Sequence, residues 1–274
     1  MKIYTLNVGQ GQFVIVVGGS EAIIVDTSVP LSPEQPIINV KSALADILSG
    51  INLIGLMITG FDADHFNEVG VKIVLNKYRP NWIMYPRYFK ETKTANAGFA
   101  AIKEFEKQKE ITKCSILLSM NDSRFYDKLS NDFTFEVFSP HAEDMNSSNN
   151  CSLVCKIKEK STDATYLVTG DTETDRWNNI VKIFGSSIQC DVVAAPHHGS
   201  KNGITSAAIK LMNPNTVLIS AGVDNSYAHP DSEAVQIFSK VAQNVYSTNH
   251  GTGQSILTEI TKNFVKSTLY TVKQ

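Results

Sequence analysis

An apolar run at 53–58 breaks off into Thr59-Gly60-Phe61-Asp62-Ala63-Asp64-His65, and this junction constrains the fold more than any other segment. A short run of unbroken apolar residues reads as a strand buried on both faces. The polar cluster then falls on the loop at its carboxyl end, where open α/β sheets gather their functional groups. Asp62, Asp64 and His65 place three metal-capable side chains within four residues, a spacing that suits ligands. The same residues also suit an acidic turn ahead of a helix at 66–77.

The rest of the chain alternates strand and helix signals. Short β-type runs at 2–7, 12–18 and 22–26, broken by Gly9-Gln10-Gly11 and Gly18-Gly19, predict an antiparallel opening. Ile38, Val40, Leu44, Ile47 and Leu48 have helical spacing within 37–49. After the acidic cluster come a helix through Tyr78, a strand at 82–85 and an exposed helix at 94–110. The second half repeats the rhythm. Strands are predicted at 115–118, 133–138, 152–157, 165–169, 191–195, 216–220, 244–247, 255–260 and 265–272, with helices at 174–184, 204–212 and 231–240. The polar stretch 141–150 reads as a loop. No composition break separates the halves. The expectation is a single domain over 1–274, of α/β (mixed α+β) class, with two mixed sheets packed face to face and helices outside.

Composition narrows the function. A formal net charge of −2 provides no global basic field of the kind that binds long duplexes, although a local groove stays open. Cys151 and Cys155 are four apart with no second pair, so Cys114, Cys151, Cys155 and Cys190 read as buried, reduced thiols of a cytoplasmic protein. Met1-Lys2-Ile3-Tyr4 reads as a strand start rather than a signal peptide. No apolar run approaches the roughly 18 residues needed to span a bilayer, so a membrane is not an expected partner.

Other predicted strands also end in chemistry. Gly170-Asp171-Thr172-Glu173 follows 165–169, Pro196-His197-His198-Gly199-Ser200 follows 191–195, and Tyr227-Ala228-His229-Pro230 lies beyond 216–220. Each has an ordinary explanation alone: Asp171 as a helix cap, the His pair in a polar pocket, His229 as a structural residue. Together with the first cluster they place four of the six histidines just past strands, on what would be one sheet edge.

On these motifs the chain resembles the metallo-β-lactamase superfamily, and more closely the soluble hydrolase domain of DNA-internalisation competence proteins. That family opens with Leu-Asp-Val-Gly-Gln-Gly-Asp, where this chain has Leu6-Asn7-Val8-Gly9-Gln10-Gly11-Gln12. Its first metal motif, His-x-His/Asp-x-Asp-His, aligns with Gly60-Phe61-Asp62-Ala63-Asp64-His65. Its Asn-Ser-Leu-Val strand aligns with Asn150-Cys151-Ser152-Leu153-Val154, its Thr-Gly-Asp with Thr169-Gly170-Asp171, and its Tyr-Gly-His-Pro with Tyr227-Ala228-His229-Pro230. Its Pro-His-His-Gly-Ser stands unchanged at 196–200.

The resemblance implies a four-layer αβ/βα sandwich whose loops hold one or two divalent ions, with water activated to attack a phosphodiester or another ester-like bond. Carried over by position, it implies metal ligands Asp62, Asp64, His65, Asp171 and His197, with Asp171 bridging. His198 then faces substrate, although the choice between His197 and His198 stays open. His229 contacts a phosphate or protonates a leaving group. The catalytic set is therefore His198, His229 and Asp64. Glu173 orients a ligand or favours a helix N-terminus.

The departures matter equally. Gly60 stands where the family has its first metal histidine, Asn150 where many relatives have another, and Asn7 and Gln12 replace carboxylates. An oxygen-rich site with few imidazoles suits Mn²⁺ or Mg²⁺ better than two tightly held Zn²⁺ ions, with Zn²⁺ still a candidate. Three forms follow: a single-metal enzyme, a two-metal enzyme with a weak first site, or a degenerate binder of a protein partner or ligand. The leading expectation is a phosphodiesterase or nuclease acting on nucleic acid or a nucleotide. A lactonase or thioesterase is the other hydrolytic alternative. Lys103, Lys107, Lys109, Lys156, Lys158 and Lys160 are candidate nucleic-acid contacts, and Tyr85, Tyr88 and Phe89 candidate stacking groups or a packed aromatic corner.

Overall fold

The computed structural model describes residues 1–30, 32, 35–88, 90–145 and 147–272. Strands β1 (Lys2–Thr5), β2 (Val14–Val17) and β3 (Glu21–Val25) pair antiparallel, as the glycine-broken opening predicts. Helices then alternate with parallel strands: α1 (Gln35–Ile47), β4 (Asn52–Met57), α2 (Glu68–Tyr78), β5 (Trp82–Pro86), α3 (Lys93–Glu106) and β6 (Thr112–Ile116). An antiparallel ladder follows, made of β7 (Arg124–Tyr126), β8 (Phe133–Ser139), β9 (Val154–Glu159) and β10 (Thr165–Val168). The parallel alternation then resumes with α4 (Thr174–Phe184), β11 (Val192–Ala194), α5 (Ser206–Met212), β12 (Thr216–Ile219), α6 (Ser232–Ser239) and β13 (Asn244–Ser247). Finally β14 (Ser255–Ile260) and β15 (Val265–Tyr270) return to the first sheet beside β1. The sheets have the orders β15-β14-β1-β2-β3-β4-β5-β6 and β13-β12-β11-β10-β9-β8-β7.

Side chains on successive strand residues point to opposite faces, so a strand covered on both sides must be apolar at every position. In β2, Val14 and Val16 join a layer containing Phe133, Phe135 and Val137 of β8, while Ile15 and Val17 pack with Leu44 of α1 and Val71 of α2. In β10, Tyr166 and Val168 enter the layer between the sheets, and Leu167 packs with Trp177 and Ile180 of α4. The result is helices, sheet, sheet, helices: the four-layer mixed α/β sandwich that the motifs imply. Among the described residues, no helix is long and apolar enough to cross a membrane. All four cysteines are buried and unpaired.

Element ends differ from expectation by a few residues, and β7 has no counterpart in the sequence reading. It is three largely exposed residues paired only with β8, too short to show a period. Strand β6 begins at Thr112 rather than 115, because an edge strand with exposed Thr112 and Lys113 lacks an apolar signal. The 141–150 loop holds a single helical turn at Ala142–Asp144. Within that loop, Asn146 lies outside the described residues, as does Phe89 further upstream.

One close approach matters for the site. The Asn67 side chain caps α2 by accepting the Gly70 N–H at 3.0 Å, and its amide donates to the Val29 carbonyl at 3.0 Å. A Cβ at Gly70 would lie 1.7 Å from the Thr27 carbonyl oxygen, backbone that cannot swing aside. Gly70→Ala is therefore expected to cost about 3 kcal/mol, the upper end of overpacking. It should show as a lower urea midpoint at unchanged slope. A wild-type midpoint would mean that α2 is not seated on the turn at 26–27.

Candidate metal centre

Both parallel runs deliver their carboxyl-end loops to one edge. After β4, Phe61 and Phe66 are buried with ring centres 5.4 Å apart, which anchors the loop from below. The turn closes with the His65 N–H on the Asp62 carbonyl at 3.0 Å, and the intervening Asp64 side chain lines the cavity at this edge. His65 is itself buried. Its Nδ1 lies 2.8 Å from Asp26 Oδ2 and 3.0 Å from Thr59 Oγ1. A carboxylate at Nδ1 fixes one proton there and turns Nε2 towards the site, the arrangement of a metal-ligating imidazole.

Asp26 is the hub of this support. It takes a left-handed backbone (φ 59°) at the end of β3 and is fully buried. It accepts from the Thr59 N–H at 2.7 Å, the Thr59 hydroxyl at 2.6 Å and the Gln12 amide at 3.0 Å, besides His65.

Asp171 comes from the loop after β10. Gly170 there has φ +52°, and a Cβ on it would stand 2.8 Å from the Ser152 side chain. The same serine hydroxyl accepts the Asp171 N–H at 2.9 Å, which seats the carboxylate. After β11, His197 and His198 both adopt left-handed backbone, with φ 50° and 53°. This sharp turn gives the two rings different neighbours. His198 Nδ1 donates to the Ser220 carbonyl at 2.7 Å, which turns its Nε2 towards the site as well.

Four ligand atoms converge. Those of Asp64, His65, Asp171 and His198 lie within 4.8 Å of one another. His65 Nε2 is 2.9 Å from Asp171 Oδ1, and His198 Nε2 is 3.5 Å from Asp64 Oδ2 and 3.6 Å from Asp171 Oδ1. Ligands about 2.1 Å from a tetrahedral ion stand about 3.4 Å apart, so these separations fit a shared cation. His65 Nε2, His198 Nε2 and Asp171 Oδ1 are buried, yet none has a hydrogen bond of acceptable geometry. Buried polar atoms are rarely left so. Three of them aimed at one point are what a bound cation would satisfy.

The charges agree. Burial pushes His65 towards neutrality, but Asp171 and Asp26 outweigh it and raise its pKa well above the ordinary value. Burial likewise opposes ionisation of Asp171 and Asp64. His65 and His198 outweigh it, holding Asp171 well below and Asp64 below the usual carboxylate range. In the metal-free protein a proton thus occupies the place of a cation. Its stabilising contribution is full below about pH 6.5, the unfolded imidazole value, and fades as pH rises through the higher folded value. An incoming ion must expel that proton. Uptake of Mn²⁺ at pH 7 is expected to release at least one proton per ion, and affinity to fall with falling pH. Calorimetry in buffers of different ionisation heat measures this, and an uptake without proton release would show that Asp171 and Asp26 do not hold His65 protonated in the metal-free protein.

The remaining candidates surround the cluster. His197 is outside it: its Nδ1 faces Glu173 Oε1 at 3.6 Å, and its ring centre lies 5.8 Å from that of His229. The resemblance favours His197 as ligand and leaves the choice between the two histidines open; it is His198 whose ligand atom lies in the four-residue cluster. Asp62 is also outside, ion-paired with Lys90. His229 stacks on Tyr227 and stands 3.7 Å from Asp231. Burial and the nearby His197 lower its pKa. A cavity of about 650 Å³ joins Asp62, Asp64, Asp171, His197, His198 and His229. Asp26, Thr59 and Ser220 went unnoticed in the sequence as supporting groups, although Asp26 sits directly after an apolar strand, the rule that exposed the others.

Tyr85 and Tyr88 belong to an aromatic corner around Phe61, with ring centres 6.2 and 5.1 Å away. Lys158 pairs with Asp163 at 2.8 Å and Lys156 with Glu136 at 3.1 Å; Lys109 and Lys160 donate to backbone carbonyls. These lysines are engaged with the chain's own acceptors.

No protein-family model matches the chain. Over 195 residues, 71% of its length, it is 29% identical to ComE operon protein 3 of Bacillus subtilis (strain 168). Over 82 residues, 30% of its length, it is 32% identical to competence protein ComA of Neisseria gonorrhoeae. The matches span 23% and 12% of those proteins, so the chain corresponds to a minor part of either. Among solved structures it is similar to Igni18, described as a novel metallo hydrolase from Ignicoccus hospitalis KIN4/I. The TM-score is 0.55 at 15% identity, covering 95% of this chain and all of that one. A mutant of CmlA beta-hydroxylase gives a TM-score of 0.52 at 12% identity, covering 89% of this chain and 52% of the other. The chain has the metallo-β-lactamase fold, and in sequence it resembles a segment of the competence proteins.

Proposed function

We propose that the chain is a metal-dependent hydrolase, one domain over 1–274, that cleaves a phosphodiester, with nucleic acid or a nucleotide as its substrate class. The observation that carries this reading is the convergence of ligand atoms from Asp64, His65, Asp171 and His198, those of the last three buried and unpartnered, with each histidine aimed by a partner on its other nitrogen. A divalent ion held there supplies Lewis acidity, lowering the pKa of water and polarising a phosphoryl oxygen. Mn²⁺, Zn²⁺ and Mg²⁺ are the candidates, with two carboxylates and two imidazoles favouring the first two.

The chain's own groups do the rest. Asp26 and the Ser220 carbonyl hold the two imidazoles in the ligating tautomer. Asp64, the most exposed of the four, is placed to accept a proton from water in the cavity. His229, kept neutral near pH 7 by burial and by His197, serves as a hydrogen-bond donor to an anionic oxygen rather than as the proton source for a leaving group. The resemblance to DNA-internalisation competence proteins supports a nucleic-acid substrate over a lactone or thioester.

Hydrolysis of bis-p-nitrophenyl phosphate tests the reading. Chelated protein should be inactive and regain turnover with Mn²⁺, Mg²⁺ or Zn²⁺, while a lactone and a thioester are left intact. Full turnover by chelated protein, or no turnover with any of the ions, would defeat it. A catalytically degenerate binder would bind an ion without turnover.

A further inference from the structure

We propose that the Lys90 ammonium, held on the Asp62 carboxylate, takes the place of a second metal ion and binds the anionic oxygen of a phosphodiester. This rests on the metal-dependent reading above and names the group that would receive the substrate's charge.

Asp62 opens onto the same cavity as Asp64, Asp171 and His198, yet it is absent from the four-residue ligand cluster, the one such cluster among the described residues. Its carboxylate is paired with Lys90 Nζ, which also lies 3.4 Å from the Ser148 hydroxyl. Gly60, two residues earlier, offers no ligand. A Cβ placed there would meet only the Tyr88 hydroxyl, at 3.7 Å. That hydroxyl accepts the Phe61 N–H at 3.1 Å, so Tyr88 and Lys90 approach the acidic loop from the same side. Arg87, before Tyr88, and Thr92, after Lys90, are both tied down. The Arg87 N–H bonds the Ile116 carbonyl at 2.6 Å, and Thr92 caps α3 by accepting the Ala95 N–H at 3.2 Å.

Charge explains the need. Asp62, Asp64 and Asp171 bring three negative charges to one cavity. A single divalent ion leaves one uncompensated, which would repel an anionic diester. One ammonium removes it. Lysine is a compact cation with three N–H donors. With Asp62 and Ser148 taking two, the third is free for a phosphoryl oxygen, the point-charge mode of phosphate binding.

Two measurements test this. Titration of chelated wild-type protein with Mn²⁺ should give one ion per chain. Dimethyl phosphate, an inert diester, should then bind the Mn²⁺-loaded Lys90→Met protein roughly 10- to 100-fold more weakly than wild type, the loss expected for one charged hydrogen bond. The Mn²⁺ stoichiometry should stay unchanged, and Lys90→Arg should recover most of the binding. Two ions per wild-type chain, or unaltered dimethyl phosphate affinity in Lys90→Met, overturns the role of Lys90 and leaves the metal-dependent hydrolase standing. No bound ion in wild type overturns both.

Discussion

Asp171→Asn is expected to fold, to lose metal, and to lose turnover by about three orders of magnitude. The carboxylate is the group that both histidines of the cluster face, at 2.9 Å from His65 and 3.6 Å from His198. An amide keeps the shape but removes the charge that balances a cation among imidazoles. Removing a partner outside the ligand shell typically weakens metal binding 10- to 100-fold, and loss of a ligand should exceed that. The ion stabilises developing charge by several kcal/mol, and each ~1.4 kcal/mol is tenfold in rate, which sets the thousandfold scale. Thermal unfolding gives an independent readout. Mn²⁺ at 100 times its Kd stabilises the wild type by about 2.7 kcal/mol. For a chain of this size that is roughly a 5–10 °C rise in Tm. Asp171→Asn should show no such rise. Wild-type affinity and rate in this variant would remove Asp171 from the centre.

Replacing Asp26 should have the largest effect on stability, through a residue that touches no metal. Asp26→Ala strands the Thr59 N–H, the Thr59 hydroxyl, the Gln12 amide and His65 Nδ1 together in a fully buried site. Breaking a buried charged network of this kind costs about 3–5 kcal/mol. Asp26→Asn is the more informative change. Whichever way its amide points, an NH₂ group meets a donor: the Thr59 N–H in one orientation, His65 Nδ1 and Gln12 in the other. In the second case His65 must accept at Nδ1 and carry its proton on Nε2, where the ion would bind. The expectation is a folded protein with metal affinity reduced at least tenfold. Affinity within twofold of wild type, measured by Mn²⁺ titration, would show that the orientation of His65 does not depend on Asp26.

Legibility from sequence followed how local each signal was. Central strands such as β2, β4 and β11 show as apolar runs because two covered faces demand it, and the helices show through their 3.6-residue period. Strand β7 is invisible because three residues are too few to carry a pattern. Asp64, His65, Asp171 and His198 were findable since each follows a strand. Their supports were harder to see. Asp26 reaches His65 across 39 residues, and Ser220 acts through a backbone carbonyl, which no side-chain motif records. The choice between adjacent histidines depends on two left-handed backbone residues at 197 and 198, a conformation a motif does not encode. Lys90 reaches Asp62 across 28 residues through a loop with no motif at all.

Asp64, His65, Asp171 and His198 are expected to share one divalent cation. Anomalous diffraction at the Mn edge from crystals of Mn²⁺-loaded protein tests it most directly. The account predicts one dominant peak, about 2.0–2.3 Å from His65 Nε2, His198 Nε2 and oxygens of both aspartates. A peak held by His197 or Asp62 instead, or no peak at this edge of the sheets, would contradict it.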